Sequence, residues 1–325
     1  MVTRCSHRHG NEGTMSMNSQ QRTEFATLCR SIRWDVDMAA YSTFRTGGTV
    51  EAMVESGDLD ELVALIRWLH RHQIPWQVIG GGSNILVTSS YHEGVFIRLG
   101  GGNDIFVAPR GETETDAGCR VLVGAGCNLA ALVSWCTRKG VAGLEFMAGI
   151  PGSVGGAICM NAGAFGHSIS EALLSVQWIN EQAEILEAVS SDIVFSYRHS
   201  QFPGQPAEKK LITRGSFLLQ RGDRDVLAAR CREIIEQRRQ KQPWGLGSAG
   251  SVFKNPKGDF AGRLIEQAGL KGLTFGKAMV SPQHANFIVN TGGAVPEDII
   301  GLMQEIRRKV LQQSGVLLEP EVHII

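Results

Sequence analysis

The stretch that decides the fold is Leu144–Gly166, LEFMAGIPGSVGGAICMNAGAFG. From Phe146 to Gly166 it carries no formal charge, yet glycines at 149, 152, 155, 156, 163 and 166 and a proline at 151 prevent one continuous helix. A membrane span is excluded, because crossing takes about 20 mostly apolar residues that satisfy their own backbone as helix, and this run is broken every few residues. What remains is a tightly wound loop whose bare backbone N–H groups suit a large, flat, anionic ligand approached at close range. A glycine-rich core crossing that binds nothing fits the same letters.

Upstream, Arg22 to Trp34 reads as a helix and Val50 to Val54 as a strand, with Thr46-Gly47-Gly48 as the turn between. An amphipathic helix follows over Leu59 to His72, with Leu62, Leu65, Ile66 and Leu69 on one face, and then the strand WQVI (76–79). That strand ends in Gly80-Gly81-Gly82-Ser83-Asn84. A dinucleotide fingerprint would open a helix here, but Ile85-Leu86-Val87 continue as β-like residues, so the loop joins strand to strand. It reads either as a plain turn or as a pyrophosphate cradle without a helix dipole. Between 94 and 126 short β-like runs (GVFIRL, DIFVAP, RVLVGAG) alternate with glycine turns, and Asn128 caps a helix to about Lys139.

Downstream of the central stretch come strands at 173–180 and 183–189, the segment FSYRHSQF (195–202) and a strand at 211–220. The mixed order predicts an α+β fold rather than a doubly wound sheet. A charged helix from Asp223 to Lys241 marks the expected domain boundary. The remainder holds SAGSVFKNP (248–256), a helix at 261–269, NFIVN (286–290) and a helix from Pro296 to about Gln313 with Ile299, Ile300, Met303, Ile306 and Val310 inward. It closes with VLLEPEVHII as a strand, which would put Glu319 and Glu321 on one face.

Composition sets the outer bounds. At 325 residues, 43% hydrophobic and 20% charged, the chain is long for one core, and two or three domains are expected. Lys plus Arg (32) balance Asp plus Glu (32), so no overall field attracts nucleic acid or an anionic membrane. Seven scattered cysteines without metal-like spacing read as buried thiols of a reducing compartment, and no metal is expected. The first residues, MVTRCSHRHGNEG, have no apolar region behind their basic ones, so the cytoplasm is expected. Residues 1–20 are polar and assigned no structure, with Met15 and Met17 as alternative starts.

Eight segments in register, STFRTGG (42–48), IGGGSNILV (79–87), GLEFMAGIPGSVGGAICMNAGAFG (143–166), YRHSQF (197–202), KQP with SAGSVFKNP (241–256), AGRLIEQAGLKG (261–272), HANFIVN (284–290) and LEPEVHII (318–325), carry a resemblance. The chain resembles the UDP-N-acetylenolpyruvoylglucosamine reductase family, in its shorter type without an extra substrate-covering loop. The resemblance implies a two-subdomain FAD-binding fold of the vanillyl-alcohol-oxidase type with a third, α+β substrate domain. The implied division is a tail and helix (1–40), an FAD-binding domain (41–222, parted near residue 100), a substrate domain (223–318) and a closing strand (319–325). It implies non-covalent FAD, NADPH as co-substrate, and reduction of UDP-N-acetylglucosamine enolpyruvate to UDP-N-acetylmuramate for peptidoglycan, by a monomer.

Gly80, Gly81, Gly82, Ser83 and Asn84, with Gly149, Ile150, Pro151, Gly152, Ser153, Gly155 and Gly156, would then face the cofactor. Hydride addition to a carbon conjugated with a carboxylate builds negative charge, so donors must be aimed at it. Arg198 suits the carboxylate, Glu321 held protonated by desolvation would donate a further hydrogen bond, and Ser251 by family match is the general acid for the α-carbon. Lys241 and Asn255 match positions that hold the substrate diphosphate and sugar, and the Gln283-His284 pair is a further, lesser candidate for the substrate. Each also has a plain structural reading: Arg198 in an ion pair, Ser251 in a turn, Glu321 on a surface strand. A flavin oxidase of the same fold acting on a small alcohol is the alternative function, against which GSVFKNP and LEPEV argue; a silent FAD-binding protein is the other.

Overall fold

Buried runs of β-branched and apolar residues make strands that are covered on both faces, and Thr49–Ser56 is such a run, buried along nearly its whole length. The computed structural model of the chain describes residues 16–88, 90–100, 105–107, 118–204 and 209–325. A first sheet runs in the order β1 (Ile32–Asp37), β2 (Thr49–Ser56), β5 (Tyr91–Leu99), β3 (Trp76–Ile79); β1 is antiparallel to β2, and β2, β5 and β3 are parallel. Helix α2 (Leu59–Arg71) crosses between β2 and β3, started by the Asp58 carboxylate on the N–H groups of Asp60 and Glu61.

Two expectations fail at the front of the chain. The expected helix over Arg22–Trp34 is only α1 (Ser19–Phe25), and Ile32 onward is strand β1. The alternation Ile-Arg-Trp-Asp-Val-Asp has period two, and pairing with β2 outweighs any helical tendency. Residues 16–20 are also structured: Asn18 and Gln21 form a capping box for α1, and Met17 is buried. The fully buried Glu51 carboxylate accepts from the N–H groups of Met17 (2.8 Å) and Gly94 (2.9 Å) and pairs with Arg22 (3.1 Å). The remaining tail residues, 1–15, lie outside the described residues.

The second unit is a mainly antiparallel sheet in the order β12 (Ile185–Val189), β11 (Leu173–Asn180), β15 (Lys210–Arg221), β7 (Gly118–Gly124), β6 (Ile105–Val107), with β8 (Val141–Ala142) also on β15. Asp104, Ala108 and Pro109 of the expected strand at 104–109 lie outside the described residues. Helix α3 (Leu129–Lys139) starts on the Asn128 side chain and ends at Gly140 in the left-handed region, φ 64°. The central stretch is not purely loop. Ser153 caps a short helix α4 (Val154–Cys159), and a hairpin β9 (Gly163–Ala164) and β10 (His167–Ser168) follows. A second hairpin, β13 (Val194–Ser196) and β14 (His199–Gln201), turns on Tyr197-Arg198.

Helix α5 (Arg224–Lys241) buries Leu227, Cys231 and Ile234; Cys231 and Ile234 join the core of the second sheet with Val133, Cys136 and Phe146. The apolar stripe of this helix therefore packs on the sheet before it. The closing unit holds α6 (Ala261–Gln267), a small sheet β16 (Thr274–Phe275), β17 (Ala278–Val280), β18 (Ile288–Asn290), and α7 (Pro296–Ser314) with Pro296 at its first position. Its core includes Phe44 and Leu86 from the first unit. The expected closing strand over 316–325 shortens to β19 (His323–Ile324), since Pro320 has no N–H for a ladder. β19 pairs parallel with β4 (Ile85–Leu86), directly after the glycine loop.

Candidate active site

The fold brings the two glycine stretches into contact. Ser83 Oγ donates to the Pro151 carbonyl (3.1 Å), and Thr43 N–H donates to the Gly82 carbonyl (2.9 Å). The approach is too close for side chains: a Cβ on Gly81 would stand 2.8 Å from Gly152 Cα, and one on Gly80 would stand 2.5 Å from Ser153 Oγ. Part of the glycine content therefore serves loop-on-loop packing. Among the described residues the N–H groups of Gly81, Gly82, Ser83 and Asn84 reach no protein acceptor, and neither do those of Gly152 and Ser153. Such a row of unused donors fits a pyrophosphate-bearing cofactor. Gly155 packs on Ala125, and Ile150 closes a turn on the Met147 carbonyl, so these two support the loop rather than add free donors.

The charged residues come together from far apart in the chain. Arg198 is the second residue of the β13–β14 turn and has φ 57°, a left-handed conformation that costs a non-glycine residue about 1–3 kcal/mol. It delivers its guanidinium to Glu321, Nε to Oε1 at 2.5 Å, while Nη1 donates to the Gly163 carbonyl (3.3 Å). One edge of the fork is thus occupied by protein, and among the described residues Nη2 has no protein partner. Tyr197 accepts through its hydroxyl from Asn255 N–H (3.4 Å), so the turn is tied to the 251–256 segment as well. That segment is fixed in turn by Asn286, whose buried amide bonds both N–H and C=O of Phe253. Glu321 N–H donates to the Val252 carbonyl (2.8 Å), which sets Ser251 and Glu321 on adjoining backbone. The Ser251 hydroxyl is half-buried and has no protein partner among the described residues.

Burial separates the two carboxylates. The Glu319 side chain is 76% exposed and lies 3.8 Å from Lys254 Nζ, whereas that of Glu321 is 11% exposed. Burial pushes the Glu321 carboxyl above its usual range; Arg198 and Lys254 pull the other way and do not cancel it. The expected substrate residues are less uniform. Lys241 is exposed at the end of α5. Asn255 Oδ1 accepts from Ala261 N–H (3.1 Å) and so caps α6, leaving its amide nitrogen. The Gln283 amide nitrogen donates to the carbonyls of Arg239 (3.0 Å) and Gln240 (2.9 Å), fastening the closing unit to the end of α5.

Two residues absent from the sequence reading adjoin the site. Arg238 places Cζ 5.4 Å from the centre of the Phe165 ring and Nη2 3.4 Å from the Phe146 carbonyl. Phe165 occupies the β9–β10 turn at φ 54° with its ring half exposed. A periodicity signal for Arg238 existed: it continues the spacing of Leu227, Cys231 and Ile234 on the inward face of α5.

The FAD binding domain family matches residues 50–188. With the paired subdomains and the glycine cradle, this defines an FAD-binding fold of the vanillyl-alcohol-oxidase type, closed by a further α+β unit. That unit, residues 242–325, matches the UDP-N-acetylenolpyruvoylglucosamine reductase C-terminal domain. Curated UDP-N-acetylenolpyruvoylglucosamine reductases are similar along nearly the whole chain. The one from Anoxybacillus flavithermus is 39% identical over 289 residues (89% of this chain, 92% of that one), and the one from Chloroflexus aurantiacus 41% over 296 (90% and 96%). The crystal structure of the reductase from Thermus caldophilus matches with a TM-score of 0.73 at 34% identity, covering 90% of this chain and 99% of that one. The chain belongs to the UDP-N-acetylenolpyruvoylglucosamine reductase family, whose members are oxidoreductases. No helix among the described residues is long and apolar enough to cross a membrane.

Proposed function

We propose that this protein is the cytoplasmic, monomeric enzyme that reduces UDP-N-acetylglucosamine enolpyruvate to UDP-N-acetylmuramate with NADPH, through non-covalently bound FAD. The observation that carries this reading is the convergence of Arg198, Glu321 and the Ser251 segment beside two touching glycine loops with unused N–H donors. When bound, FAD supplies the hydride for the β-carbon of the enolpyruvyl group. Gly81, Gly82, Ser83, Asn84, Gly152 and Ser153 hold its pyrophosphate. Charge building on the substrate carboxylate is met by the free Nη2 of Arg198 and by Glu321, whose raised pKa favours the hydrogen-bond-donating acid. Ser251 gives its hydroxyl proton to the α-carbon, a poor acid made effective by position. Lys241, with the amide nitrogen of Asn255 and the oxygen of Gln283, is aimed at the sugar nucleotide.

The test is spectroscopic. The purified protein is expected to be yellow, to release all its flavin on acid precipitation, to bleach with NADPH and to recover colour on adding the enolpyruvyl sugar nucleotide. Bleaching that recovers only with oxygen would instead favour the small-alcohol oxidase.

A further inference from the structure

Ser251 and the glycine loop at 80–84 belong to different units, and hydrogen bonds across the boundary set their register. The segment 247–252 runs antiparallel to 286–290: Gly247 pairs with Asn290, Ser251 with Phe287, and Val252 N–H donates to the Asn286 carbonyl (2.9 Å). An asparagine thus stands at each end of the run Asn286-Phe287-Ile288-Val289-Asn290. Asn286 holds one end from within the closing unit, through both backbone groups of Phe253. Asn290 holds the other end and reaches outside the unit.

Asn290 is only 7% exposed, and both ends of its amide are used. The nitrogen donates to the Phe44 carbonyl (2.9 Å) and the Arg45 carbonyl (3.3 Å) of the first unit. The oxygen accepts from the N–H groups of Gly292 (2.9 Å) and Ala294 (3.0 Å), just ahead of α7. Its backbone N–H donates to the Gly247 carbonyl (2.8 Å). A short side chain that gives two hydrogens on one side and accepts on the other has to be an amide; a carboxylate would aim lone pairs at the Phe44 and Arg45 carbonyls.

Phe44 and Arg45 directly follow Thr43, whose N–H (2.9 Å) and Oγ1 (3.3 Å) both donate to the Gly82 carbonyl. The Thr43 carbonyl in turn accepts from Ser248 N–H (2.9 Å). The packing is close, since a Cβ on Gly247 would stand 2.6 Å from the Phe44 carbonyl oxygen. One path of bonds therefore runs from Gly82 through Thr43 and Asn290 to the Ser251 segment, and a separate one runs from Asn84 to Glu321.

We propose that Asn290 is a positioning residue that holds Ser251 in register with the glycine loop. This rests on the role of Ser251 proposed above. Hydride adds to the β-carbon while the Ser251 O–H bond breaks and a C–H bond forms at the α-carbon; the serine oxygen then regains a proton from water. Adjacent carbons are served from two units, so slippage of one against the other misplaces the proton and spares the reduction by NADPH, which needs none at that carbon. A misplacement of about 1 Å costs about 10²-fold.

The experiment is a double-variant cycle on holoenzyme. Asn290→Ala, Ser251→Ala and the two combined are compared with wild type in stopped flow, following reduction by NADPH and re-oxidation by saturating enolpyruvyl substrate separately, with the melting temperature measured alongside. Asn290→Ala is expected to slow re-oxidation about 10²-fold and to leave reduction nearly intact. The combined variant should be no slower than Ser251→Ala alone, because an absent proton donor has no position to lose. Losses that multiply, equal slowing of both half-reactions with a lower melting temperature, or an unchanged re-oxidation rate would each overturn the proposal. If Asn290→Ala does not fold, Asn290→Ser, which keeps one donor for the Phe44 carbonyl, decides by the same cycle: a smaller loss absorbed by Ser251→Ala supports the proposal, and a multiplying loss or none overturns it. Ser251→Ala that re-oxidises at the wild-type rate would refute the role of Ser251 itself and the proposal with it, whereas failure of the cycle alone leaves that role standing.

Discussion

The loop at 80–84 and the turn at 197–198 both leave regular backbone, and for opposite reasons. In the loop, neighbouring protein leaves no room for a side chain: a Cβ on Gly82 would stand 1.7 Å from the Tyr41 carbonyl oxygen. In the turn, a left-handed conformation is imposed on arginine, so strain is accepted to deliver a guanidinium to Glu321. Glycine here marks where backbone meets backbone, and a bulky residue at positive φ marks where a side chain has to arrive.

The contrast can be broken most severely at the reacting end. Ser251→Ala is expected to slow flavin re-oxidation by the enolpyruvyl substrate about 10²–10⁴-fold while leaving reduction by NADPH nearly intact. Stopped-flow traces slowed equally in both half-reactions would make Ser251 structural. At the packing end, Gly82→Ala combines a clash with a left-handed alanine, together about 2–5 kcal/mol. Gly166→Ala, also left-handed but with nothing within 4 Å, should cost only about 1–2 kcal/mol. Equal losses in denaturant titrations would erase the distinction between crowded and open glycines.

Glu321→Gln should slow re-oxidation less than Ser251→Ala does, because an amide still donates a hydrogen bond. It also carries a pH signature. The folded-state pKa of Glu321 is raised, so the unfolded chain ionises this group first as pH climbs. Any stability that the protonated form contributes is complete below the ordinary glutamate value and lost as pH rises through the raised one. The melting temperature of the wild type relative to Glu321→Gln should therefore fall across that window; a rise would mean that Arg198 dominates. Glu319→Gln, at an exposed carboxylate, should change stability by no more than about 0.5 kcal/mol and leave turnover unchanged.

Local signals made much of the fold legible. Asp58, Asn128 and Pro296 open helices where the sequence places them, because a cap acts within one turn. At Trp34 the local signal is mixed: the period-two alternation of 32–37 is short, and pairing with β2 decides it for strand. Ser251, Arg198 and Glu321 were found as motifs, but their convergence through Asn255, Val252 and Asn286 is tertiary. Spacing on α5 marks Arg238 as inward-facing, but its neighbours Gly149 and Phe165 lie far upstream in the chain and are brought to it only by the fold. Pro320 was the one local sign that the closing strand would be short.

The pairing of β4 with β19 joins segments 237 positions apart: Asn84 donates its amide to the Glu321 carbonyl (3.1 Å) and accepts from His323 N–H (3.0 Å). Contacts of such sequence separation close late in folding, after nearly every local element has formed. The glycine loop and the segment bearing Glu321 are therefore expected to open and close as one cooperative unit. Any ligand that grips residues 80–84 would lend its binding energy to residues 321–325, and if the cofactor does so, its loading is expected to slow amide exchange at 321–325.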